Sequence, residues 1–151
     1  MMDIGSTIFS IPLCKRLISI IKNYGVKYQF GSSPGVGCQY GMFTIKTLLH
    51  KRHNLDLSTY VAFVDLVKAF DTVDHTLMLQ ILKKYGAPPK LCSSIARLYQ
   101  DLNVVLNIEK TKETMCQTVG VRQADCMAPV LFLFMVMDFA ETLENNGQEQ
   151  V

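Results

Sequence analysis

An aspartate at the exit of an apolar run, with an aromatic five residues further on, offers this chain its best opening for chemistry. The run is Tyr60-Val61-Ala62-Phe63-Val64, Asp65 closes it, and Phe70 follows. The β-forming side chains predict a short strand buried on both faces. A carboxylate at the end of such a strand has a rigid mount from which to offer oxygen to a hard divalent cation such as Mg2+. By residue type alone, Asp65 could equally begin a turn and Phe70 could equally belong to a core. A second block, Gly120-Val121-Arg122-Gln123-Ala124-Asp125-Cys126-Met127-Ala128-Pro129, leads into a long apolar stretch. Taken alone, its Arg122 and Gln123 read as part of a solvated loop.

Together the two blocks resemble the reverse transcriptase domain of non-LTR (LINE-type) retrotransposons. Phe63-Val64-Asp65-Leu66-Val67-Lys68-Ala69-Phe70-Asp71 is similar to that family's F-x-D-x-x-K-A-F-D motif. The resemblance makes Asp65 a catalytic metal ligand assisted by the carbonyl of Leu66. It also places Phe70 under the sugar of the incoming nucleotide, where a flat ring excludes a 2′-hydroxyl. The second block is similar to the family's G-x-x-Q-G-x-x-x-S/A-P loop, in which the glutamine, here Gln123, packs beside nucleotide and template. The glycine that follows in the family is Ala124 here, and a methyl group where backbone must approach substrate costs about 1 kcal/mol or more. A third segment, Gln29 to Gly35, is similar to Q-x-G-F-x-P-G of the fingers, with Ser32 and Ser33 where family members often carry arginine. The resemblance runs from about Asp3 to Leu143.

What the resemblance implies is RNA-templated DNA synthesis: deoxynucleoside triphosphates added to a DNA primer on an RNA template, with Mg2+ or Mn2+ in the complete enzyme. Such chemistry uses two ions held by shared carboxylates. The family's aromatic-Ala-Asp-Asp turn has no counterpart here, and no Asp-Asp pair occurs in the sequence. One carboxylate does not hold two ions against their hydration. The expectation is therefore a domain truncated after the second palm motif, inactive alone and binding metal weakly, with the remainder of the polymerase supplied elsewhere. Two other readings stand beside it: a non-catalytic nucleic-acid-binding remnant, and a decayed element without activity.

The elements that must position these residues follow from periodicity. Helices are expected over Ile11 to Tyr24, with Gly25 as its stop, and from Cys38 to a cap at Asn54, where Cys38, Met42, Ile45 and Leu49 share a face. Leu77, Met78, Ile81, Leu82 and Tyr85 predict a helix started by Asp74 or Asp71 and stopped by Gly86. Another opens at Pro88-Pro89, and a nearly all-apolar helix runs from Pro129 to about Glu144. Val104 to Ile108 and Thr114 to Val119 predict a hairpin around Glu109 to Glu113. The expected fold class is α+β, helices packed on a small antiparallel sheet, which the resemblance makes a partial fingers-palm. Its expected organisation is a single incomplete domain: residues 1–58 fingers-like and basic, 59–144 partial palm, and 145–151 a polar tail.

Charge divides along the chain. Up to Asn54 there are seven Lys/Arg against one acid, whereas from Leu55 onward eight Lys/Arg face twelve Asp/Glu. The basic half suits phosphates, with Lys46, Lys51 and Arg52 as candidate nucleic-acid contacts alongside Arg122. Five scattered cysteines without a C-x-x-C pair read as free thiols. The start has no basic n-region or cleavage site, and the Cys126 to Met137 stretch is too short to cross a bilayer. The expectation is an intracellular protein, not secreted and without membrane contact.

Overall fold

The computed structural model describes residues 4–24, 29–32, 35–100, 103–108, 111–122 and 125–148. Among them five helices and one hairpin form, in the order α1 (Ile4–Tyr24), α2 (Cys38–Asn54), α3 (His75–Lys84), α4 (Pro89–Tyr99), β1 (Asn103–Ile108), β2 (Thr111–Cys116) and α5 (Ala128–Gln148). The chain separates into two compact units, one made of residues 1–25 and 68–151, the other of residues 26–67.

In the larger unit the core is helix on helix. α1 buries Ser10, Leu13, Cys14, Leu17 and Ile21, a stripe at helical spacing that packs on α5. It begins seven residues earlier than the sequence suggests, with Pro12 inside it. A proline there removes only one backbone bond, and the buried stripe holds the helix on either side of it. By length and composition α1 could also cross a membrane, yet its buried stripe faces α5. α3 is capped as expected, with the Asp74 carboxylate accepting from the Leu77 amide at 2.7 Å, and Gly86 follows at φ 78°. α3 packs on both α4 and α5 through Met78, Ile81 and Leu82, against Leu91, Cys92, Ile95 and Tyr99 of α4. α5 buries Val130, Leu131, Leu133, Phe134 and Met137, which is why its first half is apolar nearly all round. It continues through residues 145–148, so most of the expected polar tail is helical.

The strands pair antiparallel from Asn103↔Cys116 to Ile108↔Thr111. The second strand starts three residues before the sequence reading, which shortens the turn; residues 109–110 of that turn lie outside the described residues. Helices and a hairpin are both present, but the close helix contacts among the described residues are to other helices, and the two strands pair with each other.

The smaller unit departs most from expectation. α2 forms with the anticipated boundaries but buries no residue, so the shared face of Cys38, Met42, Ile45 and Leu49 is exposed. The cap falls on Leu55 rather than Asn54, and the left-handed residue is Asp56, φ 52°. Residues 60–64 are not a strand, and they are exposed: Phe63 is 90% accessible and Tyr60 96%. A strand exists through hydrogen bonds to a neighbour. Among the described residues nothing pairs with this run, so its β-forming side chains have no sheet to complete.

An ion-pair cluster joins α3 to α5. Lys84 Nζ lies 2.7 Å from Asp138 Oδ1 and 2.9 Å from Glu141 Oε2, and the Tyr85 hydroxyl donates to Glu141 at 2.8 Å. The Lys84 hydrogen bond, then that of Tyr85, holds the Glu141 carboxyl below its ordinary range; hydrogen bonds to Asp138 and Glu141 hold Lys84 above its own. A carboxyl lowered on folding contributes stability that is present above its unfolded pKa and lost as pH falls through the folded one. A raised lysine contributes stability that is lost only as pH climbs through its folded value. The expected result is that Glu141→Gln flattens the decline of Tm as pH falls below about 4.5, as followed by circular dichroism. An acid limb identical to wild type would assign that decline to other carboxyls.

Candidate functional site

The two motifs meet within the larger unit. Val121 N–H donates to the Phe70 carbonyl and Gly120 N–H to the Val73 carbonyl, each at 2.8 Å, and Asp74 bridges Val119 in antiparallel fashion. His75 Nε2 lies 2.7 Å from the Gly120 carbonyl. The end of the first motif and the start of the second thus run side by side across about fifty residues of sequence.

Gly120 makes the approach possible. Its φ is +90°, and a Cβ there would stand 2.8 Å from the Asp71 carbonyl oxygen. Only glycine combines that backbone with that closeness. On the other side, Lys68 adopts φ 51°, and its carbonyl accepts from the Asp71 and Thr72 amides at 2.8 and 3.1 Å. This non-glycine residue in the left-handed region tightens the turn that leads into Phe70.

Between the two strips lies a cleft of about 460 Å3, lined by Lys68 to Asp71 on one side and by Val121, Arg122, Asp125, Ala128 and Pro129 on the other. Phe70 stands at its surface, 42% accessible, its ring 4.8 Å from that of Phe132 on α5. Arg122 is half-buried on the cleft wall. The result is an aromatic platform with cations at Lys68 and Arg122 and carboxylates at Asp71 and Asp125.

Asp125 is the residue that sequence reasoning passed over. It is 4% accessible; Oδ1 accepts from the Met127 amide at 3.0 Å, and Oδ2 lies 3.4 Å from the Ser10 hydroxyl of α1. Its carbonyl accepts from Ala128 N–H at 3.1 Å. Asp125 therefore opens α5 and ties it to α1 beneath the cleft. The signal was present, since an acid just ahead of an apolar helix is a capping signature. The neighbouring Cys14 thiol donates to the Cys126 carbonyl at 3.3 Å, and burial pushes its pKa up.

Other candidates are placed differently. Gln123 and Ala124 lie outside the described residues. Asp65 and Leu66 belong to the smaller unit and are exposed, so the rigid strand mount anticipated for the Asp65 carboxylate is not formed. Lys46 and Lys51 are exposed on α2. Arg52 instead engages its own chain, donating from Nε to Thr59 Oγ1 and from Nη2 to the Ser58 carbonyl, each at 2.7 Å. Among the described residues no three His, Cys, Asp or Glu side chains gather as a metal site. The side chains at hand do not fit a two-ion centre, which requires several shared carboxylate oxygens.

Comparison with known proteins agrees with the motifs. The family model for reverse transcriptase (RNA-dependent DNA polymerase) matches residues 9–150. The chain is 32% identical over 111 residues to a retrovirus-related Pol polyprotein from type-2 retrotransposable element R2DM of Drosophila melanogaster, covering 73% of this chain and 10% of that protein. It is 29% identical over 140 residues to the Pol polyprotein from type-1 retrotransposable element R2 of Bradysia coprophila, covering 93% of this chain and 16% of that one. The corresponding protein of Nasonia vitripennis is 35% identical over 74 residues, or 48% of this chain and 7% of its own length. The chain thus spans between about a tenth and a sixth of the first two relatives. No solved structure matches it.

Proposed function

The chain belongs to the reverse transcriptase (RNA-dependent DNA polymerase) family, and from that premise we propose that it forms part of the nucleotide-binding wall of an RNA-directed DNA polymerase of the non-LTR retrotransposon type. The observation that carries this reading is the cleft at the paired motifs, lined by both Phe70 and Arg122. An aromatic face stacks a base or sugar, and cations beside it favour the triphosphate. By family motif alone, Gln123 and Ala124 are proposed as further nucleotide contacts and Leu66 as a contributor through its carbonyl. RNA template, DNA primer and deoxynucleoside triphosphate are the proposed partners.

Mg2+ or Mn2+ belongs to the complete enzyme, with Asp65 as one ligand and the further carboxylates contributed from outside this sequence. We propose one incomplete domain with fingers-like residues 1–58, partial palm 59–144 and terminal residues 145–151; the compact units cut across these bounds, since residues 1–25 group with 68–151. The layer of helices on a wider antiparallel sheet belongs to the complete palm. An intracellular location without membrane contact is part of the same proposal.

The test has two parts. Titration with a fluorescent deoxynucleoside triphosphate should show saturable binding, weakened about tenfold by Phe70→Ala and reduced by Arg122→Ala. Primer extension on an RNA template should give no product with this chain alone, because a single carboxylate leaves the ions unheld. Extension by the isolated chain that disappears in Asp65→Ala would overturn the view that its catalytic site is incomplete.

A second reading, nucleic-acid binding without catalysis, draws on the exposed Lys46 and Lys51 of α2 and the basic excess of the first 54 residues. It calls for affinity for an RNA/DNA duplex that falls steeply with salt and weakens in a Lys46→Ala/Lys51→Ala double variant.

A further inference from the structure

Among the described residues, the two motifs are joined by backbone hydrogen bonds, which many side chains would permit, and by the side chain of His75, which few could replace. His75 opens α3, and its Nε2 sits 2.7 Å from the Gly120 carbonyl. A carbonyl oxygen only accepts, so the nitrogen facing it must carry the proton, and the neutral ring is fixed as the Nε2–H tautomer. The ring cannot easily turn away. Tyr99 meets it edge-on, with centroids 5.0 Å apart, and Tyr99 is itself 4% accessible. At the backbone end, the Asp74 cap fixes the first turn of α3.

We propose that His75 is a positioning residue for the cleft: it clamps Gly120 in its left-handed conformation, so that Val121 and Arg122, the next two residues, are delivered to the cleft that Phe70 also lines. Ligand recognition through this clamp rests on the nucleotide-site reading above; the clamp itself does not. The more usual employments of a histidine are disfavoured by the same geometry. Its Nε2 is committed to a carbonyl, and no cluster of metal-binding side chains gathers around it among the described residues. The cost of losing the clamp falls on a specific place, because Gly120 has the backbone of Asp71 directly against it and has no side chain of its own to hold it.

The experiment uses the full chain, labelled with 15N. Imidazole 15N shifts should report the Nε2–H tautomer for His75 in the wild type; the Nδ1–H tautomer would overturn the proposal without any variant having to fold. Native-state amide exchange should then be about tenfold faster at Gly120 and Val121 in His75→Phe, with amides of Leu17 and Phe134 unchanged. His75→Gln, whose Nε2 has a similar reach and also donates, should restore most of that protection. Exchange that rises equally at all four amides, or at none, would make His75 an ordinary packing residue and refute the clamp. In parallel, deoxynucleoside triphosphate affinity should fall in His75→Phe and recover in His75→Gln. Wild-type protein that binds no nucleotide yet shows the local exchange pattern would remove the cleft assignment and leave the clamp standing.

Discussion

Gly120→Ala is expected to destabilise the larger unit by about 3–5 kcal/mol, the sum of two separate penalties. The first is conformational: φ +90° lies where a side chain is rarely tolerated, and forcing alanine there costs on the order of 1–3 kcal/mol. The second is steric. The new methyl would lie 2.8 Å from the Asp71 carbonyl oxygen and 3.1 Å from its carbon. These are backbone atoms held by the Asp71 N–H to Lys68 carbonyl bond at 2.8 Å, so they have little room to retreat. Against a typical domain stability of about 5–15 kcal/mol, this is a large share. Urea unfolding followed by circular dichroism should show the loss as a lowered midpoint. Gly35→Ala supplies the contrast, because Gly35 has φ +83° with nothing within 4 Å, so only the conformational penalty applies. Equal losses at the two glycines would mean that the contact with Asp71 is unimportant and that the motifs are held together more loosely than described.

The sequence made the helices legible because each carries its own instructions. Asp74 precedes α3, Pro88 and Pro89 open α4, and buried residues recur at helical spacing in α1, α3 and α4. Those signals are local, so no partner had to be known. The run at 60–64 failed for the opposite reason. Its composition records preference for a sheet, but a strand is realised only by a neighbour, and none is present among the described residues. The second strand shifted in register because hairpin turns are set by backbone geometry that the charged residues of 109–113 do not specify.

The site was half readable. Motif resemblance pointed to Phe70, and charge to Arg122 as a nucleic-acid contact; both line one cleft. It gave no warning that Asp65 and Phe70, five residues apart, fall in different compact units. Asp125 was missed, and His75 reads from sequence only as a structural helix-start residue, because what each of them reaches is relational. A buried carboxylate is recognised by what surrounds it, here the Met127 amide and Ser10, and a histidine by the carbonyl it reaches 45 residues away. Neither relation has a sequence period.

Two phenylalanines on α5, two positions apart, separate what holds the fold from what serves the cleft. Phe134 is fully buried, with its ring 5.9 Å from that of Tyr85, where α5 meets α3. Phe134→Ala should cost about 3–5 kcal/mol, from lost transfer energy and the cavity left behind. Packing on both α1 and α3 runs through this helix, so the cavity would open between all three. Phe132 lies on the turn facing outward, half-buried against Phe70. Phe132→Ala removes an aromatic pair worth about 0.5–1.5 kcal/mol beyond its area and leaves Phe70 without its backing. The expected pattern is a crossed one: Phe134→Ala abolishes the cooperative unfolding transition or lowers its midpoint sharply, whereas Phe132→Ala leaves the transition nearly intact and weakens nucleotide binding. Thermal melts and deoxynucleoside triphosphate titrations on both variants read the two effects separately. If Phe132→Ala proved the more destabilising, the face of α5 assigned to the core would be wrong, and with it the placement of Phe70 at the cleft.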